Sequence, residues 1–233
     1  DTVIKLAKAQ LANTGHDELS LLSLSTSDYS CFEELAGELI DYTKKENVSL
    51  SLPSLRIDKF AFDVLNKIQE YKKSGLTYAP EAGTQRLRDV INKGVTDDDI
   101  FNSIEQALIL GWKHIKLYFM IGLPTETYDD LDGIADIAKR IIDLNYKING
   151  PKGGRFNVTV SVSNFVPKAD TPFQWAAQNT AAEFEEKHNY LARKLRIKGV
   201  NFNYHDNTTS AYEAVFARGD RRTGKLLLEA HKT

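Results

Sequence analysis

Cysteine is almost absent from this sequence, in which Cys31 is the only one among 233 residues. A single cysteine excludes an internal disulfide and a metal site built from several cysteines, and it favours a reducing, cytoplasmic compartment. We interpret Cys31 itself as a small semi-buried residue near the start of a helix.

Long apolar runs and a large net charge are absent as well. No window approaches the roughly 18 apolar residues of a membrane-spanning helix, and no basic segment leads into an apolar one at the N-terminus, so we expect neither a membrane span nor a signal peptide. The formal net charge of -2 gives no overall electrostatic footprint for nucleic acid or an anionic membrane. This balance favours a protein that binds a small ligand.

The first residues have the pattern of a helix. The sequence begins at Asp1 rather than methionine, and "DTVIKLAKAQLANTG" already has the spacing of an amphipathic helix with Gly15 as its stop signal. A strand and its loop precede such a helix in an alternating fold. We therefore expect a first strand upstream of Asp1 in the natural chain.

Strand patterns and helix patterns alternate along the rest of the chain. The strand patterns are "ELSLLSLS", "VSLSLPSLRI", "LTYAP", "HIKLYFMIGLP", "FNVTVSVSNFVP" and "VNFNYHD". Such alternation predicts an α/β fold whose parallel strands form a partial (β/α)6 TIM-like barrel without its first strand. We predict one domain over residues 1–233, with residues 205–233 as a C-terminal helical extension. The strand "HIKLYFMIGLP" is so apolar that we expect it to be buried on both faces.

The candidate site loops follow these strands, because parallel α/β folds bind ligands at the carboxyl ends of their strands. They include "SLSTSDYS", "LPSLRID", "YAPEAGTQR", "MIGLPTET" and "SNFVPKADTPF". The acidic run Asp97–Asp99 is predicted to be the first turn of a helix capped by Thr96 rather than a metal site. The histidines have no zinc-type spacing, so we predict no metal ligands in this sequence.

Two further features have a functional and a structural interpretation. Phe173 and Trp175 are suited to stack on a substrate, but packing of their loop against the barrel is the interpretation we favour. The segment "ARGDRR", residues 217–222, is suited to bind an anion or a nucleic-acid backbone, and a salt-bridged turn is an equal alternative.

Two motifs together resemble the radical S-adenosylmethionine (radical SAM) superfamily. "YAPEAGTQRLRDVINKG" and "IKLYFMIGLPTET" are similar to the methylthiotransferase and elongator-type branch, whose fourth strand ends in a Gly-Leu-Glu-Ser-Gly pattern and whose fifth ends in Gly-x-Pro-x-Glu-Thr. "SVSNFVPKADTPFQW" and "ARGDRR" resemble an uncharacterised bacterial subfamily that is often fused to an upstream cobalamin-binding-like region. The resemblance covers essentially the whole chain and implies S-adenosylmethionine and a 4Fe-4S cluster as cofactors of the parent protein.

The resemblance also implies which residues bind the cofactor. Glu81 would hydrogen-bond the ribose, Gly83 matches the glycine of the same motif, and Lys93 stands where many relatives have an arginine for the methionyl carboxylate. Gly122 and Pro124 match the segment that passes close to the adenine. The other implied contacts are backbone or apolar neighbours and residues at further strand ends: Met120, Ile121, Tyr118, Ser54, Arg56, Ser25 and Thr26. At Ser25 and Thr26 the sequence departs from the Gly-Gly-Glu type of turn that contacts the methionyl amine in the family.

The cluster loop of the family is missing. Its chemistry requires a Cys-x-x-x-Cys-x-x-Cys loop after the first strand, where three thiolates hold the cluster. The expectation that best fits a chain beginning with a helix is that this loop lies upstream in the parent, a radical SAM oxidoreductase or transferase acting on an unknown substrate. The alternatives are a SAM- or nucleotide-binding module without catalysis, and a barrel that binds a partner through its arginine-rich C-terminal segment.

Overall fold

A computed structural model of the chain describes residues 1–21, 29–51, 76–150 and 155–232. These residues belong to two compact units, Asp1–Ala79 with Val95–Leu117 and Ile141–Val158, and Pro80–Gly94 with Tyr118–Arg140 and Thr159–Thr233. The described elements are, in chain order, α1 (Thr2–Thr14), β1 (Glu18–Ser20), α2 (Phe32–Glu46), β2 (Ser49–Ser51), β3 (Leu76–Glu81), α3 (Gln85–Val90), α4 (Asp97–Ile109), β4 (His114–Ile121), α5 (Tyr128–Asn149), β5 (Asn157–Asn164), α6 (Ala181–Lys194), β6 (Val200–Tyr204), α7 (Asn207–Arg218) and α8 (Arg222–Lys232).

The strands form two parallel sheets, as the alternating sequence pattern predicts. In the first sheet β1 pairs with β2 in parallel, and Leu19 lies opposite Leu50. The second sheet has the strand order β3-β4-β5-β6, with helices between consecutive strands. Neighbouring strands that are consecutive in the chain need such crossovers when they run in parallel. Residues 52–75, which include the end of the strand pattern "VSLSLPSLRI", lie outside the described residues.

The core of the first unit includes the two N-terminal helices. α1 ends at Gly15, which has a left-handed φ of 67° and donates its backbone N–H to Leu11. The buried face of α1 packs with that of α2 and with the first sheet in one apolar cluster, whose members include Ile4, Ala7, Leu11, Leu19, Leu35, Leu39, Ile40 and Leu50. The amphipathic spacing predicted for the first helix is therefore confirmed.

One face of β4 is buried and the other is partly open. Ile115, Leu117, Phe119 and Ile121 are buried, whereas Tyr118 is exposed between two of them. The expectation that both faces of this strand are buried is therefore wrong. An apolar sequence does not distinguish a strand covered on both faces from one whose second face is open at Tyr118.

Several predictions about surface residues are decided by burial. Cys31 is exposed, so its interpretation as a semi-buried residue is wrong. Phe173 packs on the apolar cluster of Phe165, with ring centroids 6.2 Å apart, but Trp175 is exposed, which contradicts the predicted packing of that ring. In "ARGDRR" Asp220 pairs with Arg222 at 2.9 Å, the salt-bridged turn that was one of the two alternatives.

No helix in the described part of the chain is both long enough and apolar enough to span a membrane.

Candidate cofactor-binding site

The end of β3 presents an acidic side chain in an unusual backbone conformation. Glu81 has a φ of 69°, a left-handed value that side-chain-bearing residues rarely adopt. Its carboxylate is partly exposed and lies 3.4 Å from the Lys93 ammonium. Burial raises the pKa of Glu81 above its ordinary value, and the charge and hydrogen bond of Lys93 oppose that rise. The structure thus brings together two of the predicted site residues as an ion pair.

Glycine is required at position 83 because a helix lies directly against it. A Cβ on Gly83 would lie 2.2 Å from the backbone oxygen of Asp130 and 2.4 Å from the backbone nitrogen of Ile134. Gly133 is equally crowded from the other side, since its Cβ would lie 2.5 Å from the Gly83 oxygen. This close approach of two backbones fixes the loop after β3 on the first turns of α5.

The end of β4 turns at Gly122, which has a φ of 79°. A Cβ at this position would lie 2.7 Å from the Phe184 ring and 2.8 Å from the Asn179 side-chain oxygen. The backbone N–H of Gly122 donates to both carboxylate oxygens of Glu126, at 2.9 and 3.0 Å. Packing and a left-handed turn therefore require the glycine, and its proposed role beside an adenine ring stays a prediction.

The neighbours of Gly122 divide between the two faces of β4. The side chain of Ile121 is fully buried, so only its backbone is suited to contact a ligand. Met120 packs against an apolar cluster at the strand ends formed by Ala82, Leu87, Leu123 and Phe165. Because Ala82 directly follows Glu81, this cluster connects the ends of β3, β4 and β5. Tyr118 is exposed and Pro124 is half-buried.

A buried ion pair holds the loop after β4. The Glu126 side chain is 2% exposed and accepts a hydrogen bond from Lys187, which is 17% exposed, at 2.6 Å. Lys187 also donates to the Asn179 side chain at 2.8 Å. Burial raises the pKa of Glu126, while Lys187 and the backbone N–H groups of Gly122 and Leu123 oppose that rise. Glu126 therefore connects the turn at Gly122 to helix α6.

A second buried carboxylate, Asp130, joins the loops after β3 and β4. It accepts hydrogen bonds from the Thr84 hydroxyl and the Arg86 guanidinium, and from Thr127 through both the backbone N–H at 2.7 Å and the hydroxyl at 2.9 Å. Burial disfavours the ionised form of Asp130, but these donors outweigh that effect and hold its pKa below the ordinary value. The carboxylate is therefore a charged acceptor at neutral pH.

Sequence reasoning found some of these residues and missed others. Glu81 and Lys93 form a pair, and Gly83, Met120, Ile121, Gly122 and Pro124 lie in the loops or strand ends of the same unit. Ser25, Thr26, Ser54 and Arg56 lie outside the described residues. The missed residues are Glu126, Asp130, Lys187 and Arg86. The spacing Thr127-x-x-Asp130 is a capping-box signature that identifies Asp130, whereas no local pattern identifies Lys187.

Residues 1–138, more than half of the chain, match the model of the Radical SAM superfamily. The uncharacterised protein MJ0966 of Methanocaldococcus jannaschii is 30% identical over 227 residues, which are 97% of this chain and 47% of that protein. This chain thus spans about half the length of the curated relative that it matches.

A solved structure has a similar fold. The archaeal Elp3 of Methanocaldococcus infernus, with an N-terminal deletion of residues 1–46, is 12% identical and has a TM-score of 0.56, over 92% of this chain and 58% of that chain. This likeness confirms the α/β fold with parallel strands, which is consistent with a partial TIM-like barrel. The match to the family model over more than half of the chain shows that the chain belongs to the radical SAM superfamily.

Proposed function

We propose that this chain is the core of a radical SAM enzyme and that the ends of β3 and β4 bind the nucleoside part of S-adenosylmethionine. The observation that carries the proposal is Glu81, a partly exposed carboxylate held in a left-handed conformation at the end of β3. The family generally uses S-adenosylmethionine and a 4Fe-4S cluster. We propose that the whole protein cleaves this cofactor reductively to methionine and a 5'-deoxyadenosyl radical, as an oxidoreductase or transferase acting on an unknown substrate.

The residues at the strand ends fit the nucleoside. Among the described residues, Lys93 is the only side chain that bonds the Glu81 carboxylate, and a carboxylate has acceptor sites for several hydrogen bonds. It can therefore accept the two ribose hydroxyls while keeping its cation. The backbone of Met120, Ile121 and Gly122 lies at the end of the adjacent strand, where the family motif passes close to the adenine. The roles of Tyr118 and of Ser25, Thr26, Ser54 and Arg56 remain predictions.

Lys93 would have two possible anionic partners in the complex with the cofactor, Glu81 and the methionyl carboxylate. In the structure it neutralises Glu81, and in the complex its ammonium would also lie within reach of the methionyl carboxylate. A lysine provides the charge of the arginine found in relatives but not its two parallel donors. We therefore propose that Lys93 attracts the cofactor without fixing the orientation of its carboxylate.

The residues of this chain do not fit the cluster. A 4Fe-4S cluster of this family is held by three thiolates, and the sequence contains one cysteine. Within residues 1–21, 29–51, 76–150 and 155–232, no group of three or more His, Cys, Asp or Glu side chains is arranged to hold a metal ion. We therefore assign no ligand of the cluster to these residues.

The compartment and the partners of the protein are part of the same proposal. We propose a cytoplasmic protein, which the single cysteine supports. An upstream cobalamin-binding-like region in the parent is a further proposal, which rests on the resemblance of the C-terminal segments to the fused subfamily. The near-neutral charge balance supports a small-molecule rather than a nucleic-acid partner.

The test is the binding of S-adenosylhomocysteine, which contains the nucleoside, to the full-length protein by isothermal titration. We expect Glu81→Gln to weaken binding about tenfold or more, because hydrogen bonds to a charged group contribute roughly 1.5–3 kcal/mol. Asp129→Asn, which changes an exposed carboxylate at the start of α5, serves as the control and should have no effect. Equal binding by Glu81→Gln and the unaltered protein would refute the assignment of Glu81.

A second measurement separates an enzyme from a binding module. After anaerobic reconstitution with iron and sulfide, the reduced full-length protein should give an electron paramagnetic resonance signal that shifts when S-adenosylmethionine is added. Nucleoside binding without any cluster signal would instead support the non-catalytic module. Absence of both would contradict the proposed function.

A further inference from the structure

Asp130 receives its hydrogen bonds from one segment that follows β3 and another that follows β4. Thr84 and Arg86 belong to the segment that follows β3, whereas Thr127 belongs to the segment that follows β4. Arg86 also donates to the backbone oxygen of Thr125 at 3.0 Å and to its hydroxyl at 3.3 Å. We call these five residues, Thr84, Arg86, Thr125, Thr127 and Asp130, the loop clamp. It connects the Glu81 loop to the Gly122 loop through charged hydrogen bonds.

The start of helix α5 does not account for the whole arrangement. The two bonds from Thr127 to Asp130 are sufficient for a capping box, which satisfies the first N–H groups of a helix. The bonds from Thr84 and Arg86 come from positions 46 and 44 residues away in the sequence and do not serve the helix end. A carboxylate that is only 2% exposed, with donors from both loops, is therefore placed to hold the loops to one another.

A residue in a strained conformation lies at the end of β3, and another lies in the loop after β4. Glu81 has a φ of 69° and Thr125 has a φ of 66°, and Thr125 carries a β-branched side chain that disfavours this region. Such conformations cost about 1–3 kcal/mol each and persist where the surrounding contacts determine them. Arg86 binds Thr125 directly, and Thr84 lies three residues after Glu81. The loop clamp thus contacts one strained residue, Thr125, directly and includes Thr84, which is close to the other, Glu81.

We propose that Asp130 and Arg86 are positioning residues that hold the Glu81 loop and the Gly122 loop at a fixed separation, so that a bound nucleoside meets both at once. This inference rests on the proposed function, because the nucleoside is the ligand that would span the two strand ends. Neither residue needs to touch the ligand. Their effect is to keep the Glu81 carboxylate and the backbone at Gly122 in place before binding, which lowers the entropic cost of ordering them.

Arg86 is the residue of choice for a test because it is half-exposed, with 50% of its side chain accessible, so its replacement should not prevent folding. In the full-length protein, Arg86→Gln removes the bonds to both Asp130 and Thr125. We expect about tenfold weaker binding of S-adenosylhomocysteine, because the two segments would then have to be ordered at the moment of binding. Arg86→Lys retains a donor for Asp130 but not the fork that also reaches Thr125, so it should recover part of the affinity.

The matched control is Arg140→Gln on helix α5. Arg140 is similarly exposed and pairs at 3.5 Å with Asp136, one turn earlier on the same helix, so this ion pair involves neither loop. We expect Arg140→Gln to leave the affinity unchanged. Hydrogen exchange gives a second readout without a ligand: in Arg86→Gln and Asp130→Asn, the amides of residues 82–86 and 123–127 should lose protection together, and those of α4 should not.

The outcomes distinguish this inference from the proposed function. If the unaltered protein binds S-adenosylhomocysteine and Arg86→Gln binds it equally well, the positioning role is refuted while the nucleoside site stands. If the unaltered protein does not bind it, the proposed function fails and the nucleoside role of the clamp fails with it. If Arg86→Gln weakens binding but the two loops keep their protection, the effect is direct and the positioning role is again refuted.

Discussion

The buried pair of Glu126 and Lys187 allows a quantitative prediction. Lys187→Met removes the cation but keeps most of the apolar volume, and it leaves the Glu126 carboxylate buried with only the backbone N–H groups of Gly122 and Leu123 as partners. Removing one member of a buried ion pair costs about 3–5 kcal/mol, because the remaining charge is uncompensated. We expect the stability of the folded protein to fall accordingly at neutral pH.

Protonation of Glu126 limits this loss. The variant can avoid a buried charge by protonating the carboxyl group, whose ordinary pKa is 4.5. At pH 7 this costs roughly 3 kcal/mol, since each pH unit above the ordinary pKa corresponds to about 1.4 kcal/mol. Lys187→Met should therefore lower the free energy of unfolding by about 3 kcal/mol at pH 7.

The sign of the pH dependence follows from the direction of the pKa. Burial already raises the pKa of Glu126, and loss of Lys187 raises it further. A group whose pKa is raised by folding stabilises the protein most below its unfolded pKa, and the benefit is lost as the pH rises through the folded value. The deficit of Lys187→Met should therefore be small near pH 4.5 and increase toward pH 7.

Urea denaturation of the unaltered protein and of Lys187→Met between about pH 4.5 and 7 measures the difference in their free energies of unfolding. The contributions of groups that titrate alike in the two proteins cancel in this difference. Lys194→Met is the matched control on the same helix, because Lys194 pairs with Asp132 at 2.9 Å where both side chains are largely exposed, and such pairs contribute at most about 1 kcal/mol. Glu126→Gln combined with Lys187→Met should recover much of the loss. A deficit that does not change with pH, or that is no larger than that of Lys194→Met, would refute the reasoning.

Two further predictions concern packing and a buried imidazole. Gly83→Ala should cost about 3 kcal/mol or more in urea denaturation, because the new Cβ would meet backbone atoms at 2.2 and 2.4 Å, whereas Gly94→Ala has nothing within 4 Å and should be neutral; equal effects would contradict the close packing. Burial lowers the pKa of His188 to about 4, so the stability it contributes above pH 6.5 should be lost as the pH falls toward 4. His188→Phe should remove that part of the acid sensitivity, and an unchanged pH profile would exclude His188 as its source.

The sequence predicted those parts of the fold that depend on local signals. Thr96 and Asp99 form the capping box expected at the start of α4, with the Asp99 carboxylate 2.8 Å from the Thr96 backbone nitrogen. Helices α1 and α2 end with residues in the left-handed conformation, Gly15 and Asn47, of which the glycine was predicted as a stop signal. Such signals act within one turn of helix, so a pattern in the sequence is sufficient to find them.

The parts that the sequence did not predict depend on residues far apart in the chain. Lys187 reaches Glu126 across 61 positions, and Thr84 reaches Asp130 across 46. A lysine on a helix is by default a surface residue, and nothing near Lys187 indicates that its ammonium is buried. Only the fold, which brings helix α6 and the loop after β4 together, creates the need for a cation there.

The presence of a glycine at position 122, which the sequence marked as a site residue, has two possible explanations. The sequence marks it as the glycine that ends an apolar strand, and the family motif relates it to adenine. In the structure a Cβ at position 122 would collide with the Phe184 ring and the Asn179 side chain. The backbone N–H of Gly122 donates to the Glu126 carboxylate. The packing alone is thus sufficient to require a glycine, so the residue does not by itself indicate a ligand.

Support for the proposed ligand comes instead from Glu81. Its left-handed conformation costs free energy, because Glu81 carries a side chain and a glycine would adopt the same conformation without strain. Strain of this kind is concentrated at sites where a side chain has to be presented in one direction. For Glu81 that direction leaves the carboxylate partly exposed at the end of β3, with Lys93 beside it. A carboxylate that served only to balance Lys93 would not need a strained backbone, so the strain favours the binding role that we propose for Glu81.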